Sequence, residues 1–342
     1  MITESEINIA NILNILNKTG DYAVTVFGDF CIDKYLYIDP GRDETSVETG
    51  LPAYQVDRKA VFPGIGGTVV NNLRSLGVPV RCVGLAGSDG EGRDLFDSLE
   101  RIGADTSLMV RSDKIQTNVY MKPMRMSPGG QYQETNRFDF RNFNKTPAEL
   151  EDKLIENLEA ALADTRGAVI CDQYPEPNNA AVTDRVREAV ADMAARHPEK
   201  IFYADSRAFA GKFRNVIVKC NQIELAEAVE GGQCELQAQA KELLEACGRA
   251  VVVTAGAEGA YVFEGDAAIH IPPFPVDGPI DITGAGDATN AGVITGLAAG
   301  LTLREAVLLG CCISSITIRQ LGVTGTATVE QVKNLLSGKT AP

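Results

Sequence analysis

Six short apolar runs decide what this chain can become: YAVTVFG (22–28), VRCVGLAG (80–87), AVICD (168–172), IFYAD (201–205), VIVKC (216–220) and AVVVTAG (250–256). None alternates polar with apolar, so each must hide both faces. Amphipathic stretches such as PAELEDKLIENLEAALAD and NNAAVTDRVREAVADMAARH lie between them. Runs buried on both sides and joined by helices predict an α/β fold: a doubly wound, mostly parallel central sheet flanked by helices. Each run ends in or beside Gly, Asp, Cys or Asn, where such sheets present ligand-binding loops.

Two regions break the rhythm. Residues 34–62 and 115–141 are polar, carry Tyr and Arg, and pattern like exposed strands (NVYMKPMRM, QYQETNRFDF). They predict a small β-strand lid, of the kind that excludes water from a reaction. No repeat or linker interrupts the chain, so one domain over 1–342 is expected.

Charge narrows the partners. With 32 basic and 46 acidic residues, a net −14, a nucleic-acid backbone or anionic membrane is disfavoured. A small anion needs only one or two local cations and stays open. The eight cysteines, at 31, 82, 171, 220, 234, 247, 311 and 312, include no CxxC pair. Buried free thiols in a reducing compartment are expected. Only His197 and His270 are present, which disfavours a His-based metal site or a Ser-His-Asp triad. The amino terminus, MITESEINIANILNILNKTG, reads as an amphipathic helix rather than a signal peptide, and no run reaches spanning length. A cytoplasmic protein is expected.

The chemistry concentrates in DITGAGDATNAG, Asp281 to Gly292. Glycines at a helix start leave N–H groups open, and with the helix dipole they form a site for a phosphate or a developing oxyanion. The acid behind them, Asp287, serves either as a simple cap or as a general base toward an attacking hydroxyl. Small residues ahead of that acid let a phosphoryl group approach it.

DITGAGD closely resembles the second signature, D-T-x-G-A-G-D, of the ribokinase/PfkB family of sugar kinases. The resemblance implies a ribokinase-like fold, with Asp287 as the base that deprotonates a sugar hydroxyl. Gly284, Ala285 and Gly286 would form the anion hole for the migrating γ-phosphoryl group of ATP. Asp281 and Thr283 would help hold a monovalent cation such as K+. KCNQIELAEA matches the family's N-x-x-E motif, placing Asn221 and Glu224 at Mg2+ and its waters. A cap plus a solvated Glu is the plainer reading of that spacing. AVVVTAGAEGAYVF resembles the strand and turn bordering the nucleotide, with Thr254, Gly256 and Gly259 beside it, though Gly259 also suits a plain turn. In GCCISSITIRQLG, Cys311 takes the place of an Asn near the adenine. YADSR (203–207) resembles a strand end at which Asp205 supports the metal network.

At the amino end, VFGDFCIDKYLYI aligns Asp33 with the family's sugar-holding acid, while Asp29 suits a turn cap. A carboxylate accepts hydrogen bonds from adjacent hydroxyls, which is why this place wants an acid. The first signature departs from the pattern. In PGIGGTVVNNLRSLG, Ile65 occupies a usual glycine position and Thr68 the usual Asn, with Asn71 and Asn72 one turn later. Gly64, Gly66 and Gly67 would still admit a ligand closely, and Thr68 and Asn72 are candidate sugar contacts.

The flap sequences GDFCIDKYLYI, ETSVETGLPAYQVDRKAVFPG and MKPMRMSPGGQYQETNRFDF resemble the heptose-phosphate kinase branch of ADP-heptose biosynthesis, over nearly all of residues 20–335. Lys122, Arg125 and Arg137 are then candidate cations for a substrate phosphate, although flap arginines commonly pair with neighbouring acids. Tyr35 and Asp139 would line the same pocket or stabilise the flap. The resemblance therefore implies an ATP- and Mg2+-dependent sugar or sugar-phosphate kinase. Exposed edges on the flap strands suggest a homodimer through the lid. Two other readings stand beside it. One is a non-catalytic sugar- or nucleotide-binding regulator on the same fold. The other is a nicotinamide-dependent oxidoreductase, suggested by the partial glycine pattern of PGIGGTVV with Asp89 after the next strand.

Overall fold

The computed structural model describes residues 7–229 and 235–338, so Cys234 lies outside the described residues. Its main sheet has nine strands, in the order Ala267–Ile271, Ala260–Glu264, Ala250–Thr254, Ile217–Asn221, Ile201–Ser206, Gly167–Asp172, Val24–Gly28, Val80–Gly87 and Val110–Ser112. Neighbours run parallel except at one edge, where Ala260–Glu264 is antiparallel to both partners. All six apolar runs are strands in its interior, as their two-sided apolarity predicts.

Alternate residues feed two cores. Val24, Val26, Val169 and Cys171 face a cluster containing the helices Gly66–Ser75, Ala285–Ala298 and Leu303–Thr317. Phe27, Ala168 and Ile170 face the opposite cluster, with Ala148–Leu162, Asp184–Arg196 and Leu236–Cys247. Strand order reverses between Val24–Gly28 and Gly167–Asp172, so the crevice beyond their carboxyl ends is where this architecture binds ligands. The amino-terminal helix covers Ile9–Ile15 and buries Ile12. Among the described residues, no helix is long and apolar enough to cross a membrane. All seven described cysteines are free, and only Cys311 is not fully buried.

A second sheet grows directly out of the first. Phe30–Ile38 follows Val24–Gly28 with only Asp29 between them. It pairs antiparallel with Val56–Ile65 and parallel with Val119–Met126, to which Tyr132–Glu134 and Phe138–Phe140 add. The polar segments singled out in the sequence are therefore strands. The chain can turn between the sheets because Gly28 takes φ +119°, and a Cβ there would sit 2.3 Å from the Cys171 carbonyl oxygen. Asp29 is buried and accepts from the N–H groups of Gln173 (2.8 Å) and Ala181 (3.0 Å), locking the junction.

The oxidoreductase reading does not survive this topology. The strand that leads into PGIGGTVV lies in the second sheet and is antiparallel to its neighbour. No βαβ unit forms around those glycines. Asp89, the candidate ribose acid, instead caps Gly90–Arg101 through Gly92 N–H (2.7 Å) and binds Thr117 through both carboxylate oxygens.

Candidate active site

The glycine turn of DITGAGD ends in Gly284, left-handed at φ +77°, and the helix Ala285–Ala298 follows with no side-chain cap. Small residues suit this helix because it packs closely on Leu303–Thr317: a Cβ on Gly292 would lie 2.5 Å from the Gly310 Cα. The expected hole of three open amides needs one correction. Ala285 N–H is taken by the Ile282 carbonyl at 3.1 Å, because the turn closes on itself there. Among the described residues, the N–H groups of Gly284, Gly286 and Asp287 have no protein acceptor, as the first turn of a helix leaves them.

Asp287 sits in the first turn, half-buried at the mouth of the crevice. Burial raises its carboxyl to about 7, and the Asp205 charge adds to the rise. Lys219 and Arg207 oppose it, and Asp33 is close enough to reinforce it. No described protein donor bonds its carboxylate, which leaves both oxygens available.

Beneath the turn lies a network the sequence reading did not assemble. Lys219, only 5% exposed, binds Asp205 Oδ1 at 3.1 Å from the neighbouring parallel strand. Asp205 Oδ2 accepts from Asn290 Nδ2 at 2.6 Å, and Tyr203 OH lies 3.3 Å from Asn290 Oδ1. A Cβ on Gly286 would meet the Lys219 ammonium nitrogen at 3.2 Å, its nearest neighbour. Arg207, one strand end away, is exposed and has no ion pair among the described residues. Its charge acts on Asp287, Glu224 and Tyr120, so it overlooks the gap between the two sheets.

Across that gap, Asp33 binds the Lys122 ammonium at 2.7 Å, and Lys122 also donates to Tyr35 OH at 3.1 Å. The acid thus stands ready beside its own counter-charge, with Lys122 raised to about 12: burial opposes its charge, but Asp33 and Tyr35 together outweigh that. The first glycine turn behaves differently from its expected ligand approach. Cβ atoms at Gly64, Gly66 and Gly67 would strike Asp33 Oδ2 at 2.5 Å, Asp29 O at 2.8 Å and Pro63 Cβ at 2.5 Å. Protein, rather than ligand, fills the space these glycines leave. Asn72 is 1% exposed and donates to the carbonyls of Thr68 (3.1 Å) and Gly325 (3.4 Å), so it ties backbone instead of facing a sugar. Thr68 is also buried, its methyl close to Gly284. The flap arginines are occupied as well: Arg125 pairs with Asp43 and lies over Tyr54, and Arg137 grips Asp139 through two bonds of 2.6 and 2.8 Å.

On the other side of the glycine turn opens a largely apolar cavity of about 480 Å³, lined among others by Thr254, Gly256, Phe274, Gly286, Cys311 and Ile318. Gly259 borders it too, but its φ of +89° and a Cβ position 2.2 Å from the Ile271 carbonyl mark it as a turn glycine. Asn221 and Glu224 form a capping box: Asn221 Oδ1 accepts from the N–H groups of Ile223 and Glu224, and Glu224 Oε2 from Asn221 N–H. The cap of the plainer reading is present, but Glu224 is half-buried rather than solvated, and among the described residues its second oxygen has no hydrogen-bond partner. Among the described residues, no cluster of three or more His, Cys, Asp or Glu is gathered for a metal. A lone free carboxylate oxygen fits Mg2+ that keeps its waters and arrives with phosphates. Asp281 accepts from Thr283 N–H and Gly322 N–H, both at 3.0 Å, tying two loops together.

Comparison with known proteins agrees with the fold. The profile of the pfkB family carbohydrate kinases matches residues 26–329. The bifunctional protein HldE of Hyphomonas neptunium is 29% identical over 328 residues, covering 94% of this chain and 65% of its own length. HldE of Azorhizobium caulinodans is 29% identical over 90% of this chain and 63% of its own. The chain thus spans just under two thirds of the curated relatives it matches. Among solved structures, a ribokinase from Thermotoga maritima superposes with TM-score 0.68 at 22% identity, over 92% of this chain and 99% of that one. Phosphofructokinase-2 from Escherichia coli in complex with potassium gives 0.71 at 18%, over 93% and 98%. These share the ribokinase-like fold. With the family profile matched from the central strand through the glycine turn and beyond, this chain belongs to the pfkB family of carbohydrate kinases.

Proposed function

We propose that the chain transfers the γ-phosphoryl group of ATP to a hydroxyl of a sugar phosphate, with Asp287 as the base. The acceptor O–H loses its proton to Asp287, its oxygen bonds to the γ-phosphorus, and the bond from that phosphorus to the ADP oxygen breaks. A phosphate ester and ADP leave, and Asp287 later releases the proton. The observation that carries this reading is an unbonded carboxylate raised to about 7 in the first turn of a helix with open amides.

Asp33 would hold the acceptor's hydroxyls, with the Lys122 ammonium bonded to one of its oxygens. The apolar cavity beside Thr254, Gly256 and Cys311 would take the adenine and ribose. Mg2+ arriving with the nucleotide, held through water by Glu224, would neutralise phosphate charge. Asp281 and Thr283 remain the proposed monovalent-cation loop. For the acceptor's own phosphate, Arg207 is the better candidate, since Arg125 and Arg137 already hold acids. The likeness to HldE proteins supports a heptose or hexose phosphate. The second sheet would act as the lid, and its exposed Val56, Phe138 and Phe140 support a homodimer through it.

A screen of free sugars and sugar phosphates for ADP release, with Mg2+ and with or without K+, tests the proposal. Turnover with a heptose or hexose phosphate is expected. ATP binding without turnover on any sugar would favour a regulator on the same fold.

A further inference from the structure

Beside the open amides of Gly284, Gly286 and Asp287, the one neighbour among the described residues that a Cβ on Gly286 would meet is the Lys219 ammonium, at 3.2 Å. An ammonium carries three donors. Lys219 spends one, on Asp205, and the remainder have no described acceptor although the side chain is buried. Burying a charged donor with a single partner is costly unless an anion completes the site. The groups facing it are Asp205, Glu224 and Asp287. Asp205 is itself held by Asn290, so the ammonium cannot swing far from the turn.

We infer that Lys219 is a catalytic cation that grips the γ-phosphoryl oxygens from below the glycine turn, completing the hole with the Gly286 and Asp287 amides. It forms no covalent bond and keeps its protons. It stabilises charge on the phosphoryl group as that group leaves ADP for the acceptor. The inference rests on the kinase reading above and adds a residue to it.

The test compares ADP with a non-hydrolysable ATP analogue, by calorimetry, in the full chain and in Lys219→Met. The variant should lose about 10- to 100-fold of the analogue's affinity while ADP binds unchanged. Its kcat should fall by about 10²–10³-fold with acceptor KM little altered. The acid limb of its kcat/KM profile should move to higher pH, because the Lys219 charge holds the Asp287 carboxyl down against Asp205 and Asp33. Removing Lys219 strands Asp205, so the double variant Lys219→Met/Asp205→Asn guards against misfolding. If the double variant regains discrimination for the third phosphate, the lysine is structural and the inference falls. It falls equally if Lys219→Met keeps that discrimination and its kcat, or if the parent has none. A parent that discriminates through Lys219 yet phosphorylates no sugar would instead overturn the kinase reading and leave the cation site standing.

Discussion

The two glycine turns of this protein look alike in sequence and are built for opposite purposes. PGIGGTVV and DITGAGD each lead into a helix, and the helices Gly66–Ser75 and Ala285–Ala298 lie together, with Thr68 touching Gly284. In the first turn every glycine is closed over by protein: Asp33, Asp29 and Phe30, and Pro63 occupy the places of missing side chains. In the second, among the described residues, a Cβ on Gly286 would meet only the tip of a lysine, and the Gly286 N–H has no partner. A glycine that spares room for backbone is a packing device, whereas one that bares a donor is a binding device. Sequence shows the glycine, and only what surrounds the absent Cβ says which it is.

The largest effect that could break this contrast is at Asp287. Asp287→Asn should lower kcat by about 10²–10⁴-fold while nucleotide affinity measured by calorimetry stays near the parent's. Comparable turnover in the two proteins would return Asp287 to the rank of a helix cap. Next comes the pair Gly64→Ala and Gly286→Ala. The first places a methyl 2.5 Å from the Asp33 carboxylate and should cost about 1–3 kcal/mol of stability, with acceptor KM rising. The second should leave the melting temperature nearly unchanged and lower kcat instead.

A smaller effect concerns pH. Asp287 works as a base only when ionised, so kcat/KM should fall about tenfold per pH unit below about 7. Stability runs the other way. Asp29 and Asp287 at about 7 and Asp172 at about 6 are raised by burial above their unfolded values. The folded chain therefore binds more protons than the unfolded chain between about pH 4 and 7, and these groups lower stability as pH rises through that window. Denaturant midpoints at pH 5 and 8 check the sign.

The smallest effect is at Ile65, where the family's usual glycine is missing. Its φ of +55° with ψ −116° is backbone that a side chain resists. Ile65→Gly should be more stable than Ile65→Ala by about 1 kcal/mol, the reverse of the ordinary order. A lower melting temperature for Ile65→Gly than for Ile65→Ala would show that this backbone carries no strain.

Legibility in the sequence followed chain distance. The six strands and DITGAGD are contiguous, so periodicity and local spacing expose them. Lys219, Asp205 and Asn290 meet only because parallel strands and a distant helix bring them together, and no local pattern announces that. Arg125 and Arg137 were legible as cations, but their occupation by Asp43 and Asp139 is a property of the folded flap. The capping box at Asn221 and Glu224 was legible too, and the fold uses it as a cap, with Glu224 Oε2 accepting from Asn221 N–H.

The single-residue junction at Asp29 has a mechanical consequence. A strand of the main sheet runs on into the outer sheet, and the Asp29 carboxylate is pinned to two backbone N–H groups beyond it. The outer sheet therefore has a fulcrum and almost no slack. Any tilt of it would carry Asp33, four residues along, as the short arm of a lever, so on the proposed kinase reading closing over an acceptor and aiming that acid would be one displacement.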